Sequence, residues 1–495
     1  MKRLLFLALG LLLNSHVASA ISTSKVTRQE DVTTCLLDAG VPHHELGTTS
    51  WNRDARPFNE RIPYVPAAIA VPSTVAHIQD AVACGAAHGI KVSAKGGGHS
   101  YASFGLGGQD GHLVLEMDGM HAVTVQSGRA RIQAGARLGH VAVELFVQGG
   151  RALPHGTCPG VGISGHALHG GYGMATHTRG LTLDWLVGAT VVLANSTVVH
   201  TSATERPDLF WALRGGGSSF GIVTEFEFDT FAAPTNVTYY SVSVRWNQTT
   251  MVSGLAALQT FAETMPAELN MRAAVSGAGT SFEGVYYGTT AQLQTVLQPL
   301  LNATSGRISS SRTVGWVQGL EHYAYGTALN QTESYNMHET FYASSLTSAA
   351  LNTTQLESFA DFVYGDANSG PSFSTWWLQI DLHGGANSAL SRISTTSTAY
   401  AHRSSLLLFQ FYHRAFGSTY PEGGFGIVQG FRNSITQSLA NGTWGMYANY
   451  ADTALDSATA QRRYWGTNLE RLRTIKRSLD PTEVFWNPQS ISPAV

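Results

Sequence analysis

Two short stretches of this 495-residue chain hold side chains able to bond covalently to a bound group. In Lys95-Gly96-Gly97-Gly98-His99-Ser100 an imidazole follows three glycines, and in His155-Gly156-Thr157-Cys158-Pro159-Gly160-Val161-Gly162 a thiol sits in a loop punctuated by glycine and proline. Both groups are nucleophiles, the thiol once deprotonated. Gly96, Gly97 and Gly98 leave room for a large planar ring beside the backbone and offer N–H donors to a pyrophosphate. Taken singly, each feature has a plainer use: glycine triplets make tight turns, lone histidines are often structural, and a free cysteine often packs in a core. Other chemistries lack their patterns. No G-x-G-x-x-G opens a helix within a strand-helix-strand unit that has an acidic residue about 20 positions on. No H-E-x-x-H occurs, and His166, His169 and His177 lack a partner spaced for zinc, so no metal is expected. Gly162-Ile163-Ser164-Gly165 is not a nucleophile elbow.

The elements that must present these residues alternate strand and helix. Ala67 to Val71 is a short apolar strand, and Ser73 or Thr74 can cap a helix with Val75, Ile78 and Val82 on one face before Gly89 ends it. Lys91 to Ala94 is a strand running straight into the glycines. Leu113 to Met117, Ala122 to Val125 and Ala130 to Ala134 are further short strands. Beyond Cys158, Gly165 to Gly173 is helix-like, while Leu186 to Leu193 and Ile222 to Phe228 are strands. The texture changes at Ala232-Ala233-Pro234, after which strand-like runs such as Tyr239 to Trp246 alternate with helix-like ones such as Ala256 to Glu263. The chain closes on a helix with apolar face Trp465, Leu469, Leu472, Ile475 and Leu479, stopped at Asp480-Pro481.

Lys2 and Arg3, the apolar run Leu4 to Leu13 and the small residues Ala18 and Ala20 predict a secretory leader over residues 1–20. The expected product is a secreted, extracellular monomer with no membrane span. Sequons at Asn195, Asn236, Asn247, Asn302, Asn330, Asn352 and Asn441 predict N-glycans. A net charge of −3 without a basic run excludes an electrostatic footprint for nucleic acid. The 52 glycines and 13% charged residues favour a compact chain rich in sheets and loops. Of three cysteines, Cys35 and Cys84 lie on helix-like segments and can bridge, which leaves Cys158 over.

Six spaced motifs carry a resemblance. They are Gly96-Gly97-Gly98-His99-Ser100-Tyr101, Cys158 at an interval of 59, Gly162-Ile163-Ser164-Gly165-His166, Gly170-Gly171-Tyr172-Gly173, Trp211-Ala212-Leu213-Arg214-Gly215-Gly216-Gly217 and Asp480-Pro481-Thr482-Glu483-Val484-Phe485. Over essentially the whole mature chain they resemble berberine-bridge-type members of the vanillyl-alcohol oxidase superfamily. The resemblance implies an α+β fold: an FAD-binding domain from residues 21–234 and 443–495, and a substrate domain, residues 235–442, whose antiparallel sheet covers the flavin. It implies FAD attached through His99 at the 8α position and Cys158 at C6, with Gly96, Gly97, Gly98, Ser100, Gly162, Gly165, His166, Tyr172, Gly173 and Ile222 around it. Valine three residues after the linked cysteine, here Val161, is similar to family oxidases rather than dehydrogenases and implies O2 as acceptor.

Within that family the stretches Trp376 to Gly385, Phe409 to Tyr412 and Asn449 to Asp452 resemble fungal gluco-, chito- and xylo-oligosaccharide oxidases. Such residues suit a sugar, since aromatic faces stack on pyranose rings and amides bind hydroxyls. The implied substrate residues are Tyr101, Arg272, Tyr325, Trp377, Gln379 and Gln410. Oxidising a hemiacetal needs a base at the anomeric hydroxyl while C1 surrenders its hydrogen and both electrons to the flavin. The resemblance gives the base role to Tyr450 with Asp381 as its hydrogen-bond partner. A tyrosine titrates at about 10 and a carboxylate beside it disfavours the phenolate, so Asp381 must accept or orient the proton, and the sequence does not name the charge that compensates. Ala274 stands where the gluco-type enzymes carry an acid and the chito-type an amide, which points to xylo-oligosaccharides, then cello-oligosaccharides. The alternatives are an alkaloid or phenolic-alcohol oxidase and a sugar-binding protein without turnover.

Overall fold

The structure is a computed structural model that describes residues 31–332, 337–417 and 419–495. The expected leader lies outside the described residues. The Thr74 hydroxyl caps the helix Val75–Ala87 by accepting from the His77 amide, and the helix buries Ile78, Ala81, Val82 and Cys84. Behind it the strands Ala68–Ala70, Leu113–Glu116 and Val92–Lys95 run parallel, with His43–His44 antiparallel at the edge. Val92–Lys95 ends at the glycine triplet, so a buried strand aims the His99 loop.

A second, antiparallel sheet runs in the order Val123–Gln126, Arg129–Gln133, Ile222–Asp229, Leu186–Val192 and Val198–Ser202. The helix Leu469–Leu479, far along the chain, packs into the same apolar core: Leu472, Ile475 and Phe485 join Ile78, Leu115, Ile132 and Phe226 in one cluster. Cys35 and Cys84 form a disulfide at its edge.

A separate core lies under an eight-stranded antiparallel sheet, ordered Arg307–Val314, Val237–Ser243, Gly279–Tyr286, Leu269–Ser276, Ser374–Leu382, Leu407–Ala415, Thr340–Ser348 and Trp444–Gly445. Strand alternation gives this sheet two different faces. Trp376, Leu378, Ile380, Phe409 and Phe411 pack into the core with the helices Gln248–Thr264, Thr353–Tyr364 and Gly423–Thr436. Trp377, Gln379, Asp381, Gln410 and Tyr412 point the other way, into a cavity.

Three expectations shift. The helix expected over Gly165 to Gly173 spans only Ile163–Leu168, because Gly170 (φ 141°) and Gly171 (φ 86°) take backbone conformations a helix cannot hold. Trp465 ends a helix of its own, Ser457–Trp465, and Gly466 at φ 46° separates it from Leu469–Leu479. The last strand of the large sheet, Trp444–Gly445, lies just past the boundary expected at residue 442. Among the described residues no helix is long and apolar enough to cross a membrane, and no group of three or more His, Cys, Asp or Glu is placed to hold a metal.

Candidate active site

A cavity of about 820 Å³ runs from the glycine triplet to the polar face of the large sheet. His99, Cys158, Gly96, Gly97, Gly98, Ser100, Gly162, Gly165, His166, Tyr172, Gly173 and Ile222 line one part of it, and Tyr101, Arg272, Tyr325, Trp377, Gln379, Gln410, Asp381 and Tyr450 the other. The sequence therefore names residues that converge on one place from segments spread between Gly96 and Tyr450.

The loop side is shaped by missing side chains. A Cβ on Gly97 would lie 2.1 Å from the Gly162 nitrogen, and one on Gly162 2.2 Å from the Gly97 nitrogen, so the two loops touch backbone to backbone. Gly160, Gly162 and Gly165 do fall at G-x-G-x-x-G spacing across the start of the short helix Ile163–Leu168, but a loop rather than a strand leads into it. The His99 ring stacks on Phe58, centroids 3.8 Å apart, and burial lowers its pKa to about 4, so its ring is neutral. Cys158 is the chain's free cysteine. Its open surface faces the cavity, while protein atoms crowd it otherwise and burial raises its pKa. A neutral ring nitrogen and a thiol opening on one glycine-walled cavity fit a flat cofactor carried at two points.

The sheet side is set by register. Arg272 pairs across strands with Asp381 and with Glu283, Ala274 with Gln379, and Gln379 with Gln410, while Trp377 pairs with Tyr412. Arg272 donates to Glu283 Oε1 through Nε (2.7 Å), to Gln379 Oε1 through Nη1 (3.1 Å) and to the Tyr325 hydroxyl through Nη2 (2.5 Å). Tyr325 in turn donates to Glu283 (3.1 Å), although it is 63% exposed and holds a left-handed backbone at φ 50°. Such a strained, tied aromatic at a cavity mouth is a mark of function. Gln410 Nε2 donates to the Tyr101 hydroxyl at 2.7 Å, and the Trp377 ring stacks on Tyr412 at 4.6 Å.

Asp381 is buried and neither carboxylate oxygen has a hydrogen bond of ordinary geometry, so the expected hydrogen bond to Tyr450 is not formed and the two are coupled through charge alone. Burial raises its pKa to about 7, against the pull of Arg272 and the Tyr172 hydroxyl. Burial and the Asp381 charge push Tyr450 well above the usual tyrosine value. Tyr450 ends a 3₁₀ turn, Ala448–Tyr450, and its ring lies between Tyr101 (5.9 Å, stacked) and Tyr447 (5.0 Å, edge-on).

Comparison with known proteins assigns the family. Residues 66–202 match the FAD binding domain model, and residues 446–492 the model described as berberine and berberine like. A chitooligosaccharide oxidase of Gibberella zeae is 50% identical over 94% of this chain and 95% of its own length. A xylooligosaccharide oxidase of Thermothelomyces thermophilus is 47% identical over 97% of each. The chain belongs to the berberine-type FAD-linked oxidases. Two solved members of that family share its fold at a TM-score of 0.92 and 48% identity, each aligned over 94% of this chain and 100% of its own. One is a xylooligosaccharide oxidase from Myceliophthora thermophila in complex with xylobiose, and the other a glucooligosaccharide oxidase from Acremonium strictum with a 6-S-cysteinyl, 8α-N1-histidyl FAD. This oxidase is thus an FAD-dependent oxidoreductase of α+β fold.

Several residues in or behind the cavity wall of the oxidase escaped sequence reasoning. Glu283 lies one strand over from Arg272 and shows only once register is known. Phe58 and Glu339 come from loops, and Glu339 accepts from the Tyr412 hydroxyl at 2.7 Å. Tyr447 accepts from the amides of Gly171 (2.9 Å) and Tyr172 (3.2 Å), tying the broken helix end to the turn that carries Tyr450. Its place three residues before Tyr450 was the one signal available.

Proposed function

We propose that the enzyme oxidises the reducing-end C1 hydroxyl of plant-cell-wall oligosaccharides to the lactone, with FAD joined to His99 and Cys158 and O2 reduced to H2O2. The observation that carries this reading is convergence: the two nucleophiles and the polar face with Trp377, Gln379, Gln410, Asp381 and Tyr450 open on one cavity. FAD, when bound, takes two electrons from an alcohol carbon and passes them to dioxygen.

The chain's own residues handle the sugar and its proton. Trp377, backed by Tyr412, offers a flat apolar face to a pyranose, and Tyr325 offers a second at the mouth. Gln379 and Gln410 sit side by side in register and present amides to ring hydroxyls. With its pKa raised by burial and by the neighbouring charge, Tyr450 is no base alone; its hydroxyl takes the anomeric proton as it passes its own to Asp381. Asp381, at about 7, is matched to that task near neutrality. Arg272, held by Glu283 and directly across the strand pair, is the compensating positive charge that keeps a buried carboxylate ionisable.

Ala274 lies in the row of Gln379 and Gln410 and brings no polar group there. This favours xylo-oligosaccharides, which lack the C6 hydroxymethyl group, with cello-oligosaccharides next. Val161, on the cavity wall beside the Cys158 loop, favours O2 as acceptor. Every sequon asparagine is exposed, and Asn247 and Asn352 cap helices through their carbonyl oxygens, leaving the amide nitrogen for a glycan. Anaerobic stopped-flow reduction of the flavin by xylobiose, cellobiose and chitobiose, side by side, tests the assignment. Fastest reduction by xylobiose is expected, and reduction by an aromatic alcohol but by none of the sugars would overturn it.

A further inference from the structure

The loops that carry His99 and Cys158 are joined by a side chain to which the proposed reaction gives no task. Arg137 precedes the helix Leu138–Val147, and its side chain is 3% exposed. Its Nη1 donates to the carbonyls of Gly97 (2.8 Å) and Gly160 (2.9 Å), and its Nη2 to Asp118 Oδ1 (2.7 Å). Gly97 lies two residues before His99, and Gly160 two after Cys158. The backbone repeats the link: Arg137 bridges Gly162 in antiparallel fashion, and the Leu138 amide donates to the Val161 carbonyl at 2.8 Å. One planar fork therefore fixes both loops against each other where Gly97 and Gly162 already meet without side chains. A lysine, with a single ammonium, cannot reproduce that geometry.

We propose that Arg137 is a positioning residue that sets the His99 loop against the Cys158 loop, so that both linkages can form on one bound FAD. The proposal rests on the doubly linked FAD argued above. Each link replaces a hydrogen of the flavin by a bond to nitrogen or sulfur, and a second hydrogen leaves the imidazole or thiol. Two electrons and two protons depart per link, and dioxygen takes them to become hydrogen peroxide. Both links share FAD and oxidant, so the fold's own contribution is the distance between the nucleophiles. His99 has an independent hold, its stacking on Phe58. The Cys158 loop is registered to the glycine triplet through Arg137, so the cysteinyl bond is the one that suffers when the fork is lost.

The test uses full-length Arg137→Lys and Asp118→Asn, incubated aerobically with added FAD and digested at intervals. The readout is the fraction of His99 and of Cys158 peptides that carry the flavin mass, beside wild type. The His99 link should form at the wild-type rate, while the Cys158 link should form about tenfold more slowly in Arg137→Lys, with a smaller delay in Asp118→Asn. Wild-type rates for both links in both variants overturn the proposal. Equal slowing of both links also overturns it, because that marks a general loss of FAD binding. Wild-type protein lacking either link would instead refute the doubly linked FAD itself. If Arg137→Lys does not fold, Asp118→Asn decides, since it keeps the guanidinium and removes the negative charge that anchors it.

Discussion

The role proposed for Asp381 carries a cost in stability. Its folded pKa of about 7 lies above its ordinary value, so the protein gives up stability as pH rises through that range. Asp381→Asn should therefore unfold at higher denaturant concentration than wild type at pH 8, by a few kcal/mol, the gain vanishing toward pH 4. The same variant should slow flavin reduction about 100-fold or more, as loss of a proton acceptor does. In wild type, reduction should accelerate as pH rises through about 7, since the base must be ionised. Glu283 raises the Asp381 pKa, so Glu283→Gln should move that limb to lower pH; an unmoved limb in anaerobic pH profiles would remove Asp381 from the role. Ala274→Glu, placing a carboxylate in the glutamine row, should shift preference from xylobiose toward cellobiose in competing-substrate rates.

At the level of elements, the site depends on where backbones meet. Gly162→Ala would drive a methyl group into the Gly97 backbone, so it should lower covalent FAD content, measured as colour retained after acid precipitation, more than Gly165→Ala, which meets nothing within 4 Å. This explains what could be read in advance. The strand expected over Lys91 to Ala94, found at Val92–Lys95, and the capped helix before it follow local periodicity, and the structure reproduces them; Trp377, Gln379 and Asp381 were legible through the family resemblance alone, and the strand Ser374–Leu382 sets them on one face. The true end of the helix at Leu168 was not legible, because glycines at 170 and 171 act through φ angles that composition does not show. Arg272 was legible as a site residue, yet its function as counter-charge was not. Its partners Glu283, Tyr325 and Gln379 are 11, 53 and 107 positions away; sheet register brings the first and last to it, and the turn after the helix Trp316–Tyr323 brings Tyr325.

For the whole molecule, the disulfide and the shared core govern persistence. Cys35 and Cys84 close a loop of 49 residues, worth up to about 4 kcal/mol on a chain-entropy account. The double variant Cys35→Ser, Cys84→Ser should lose up to that much in denaturant titration while keeping the cavity, and loss of FAD linkage alongside would show the bridge reaching further than its own cluster.

The core that unites Ile78 and Phe226 with Leu472 and Phe485 also sets the timing of biogenesis. Tyr447, Tyr450, Trp465 and Asn487 line the cavity, so its wall is incomplete until residues beyond 446 have joined the fold. A ribosome-bound chain halted before residue 446 would display the His99 and Cys158 loops but no closed chamber. Cofactor capture accordingly waits for the segment from Met446 to Asn487, which acts as the latch that permits it.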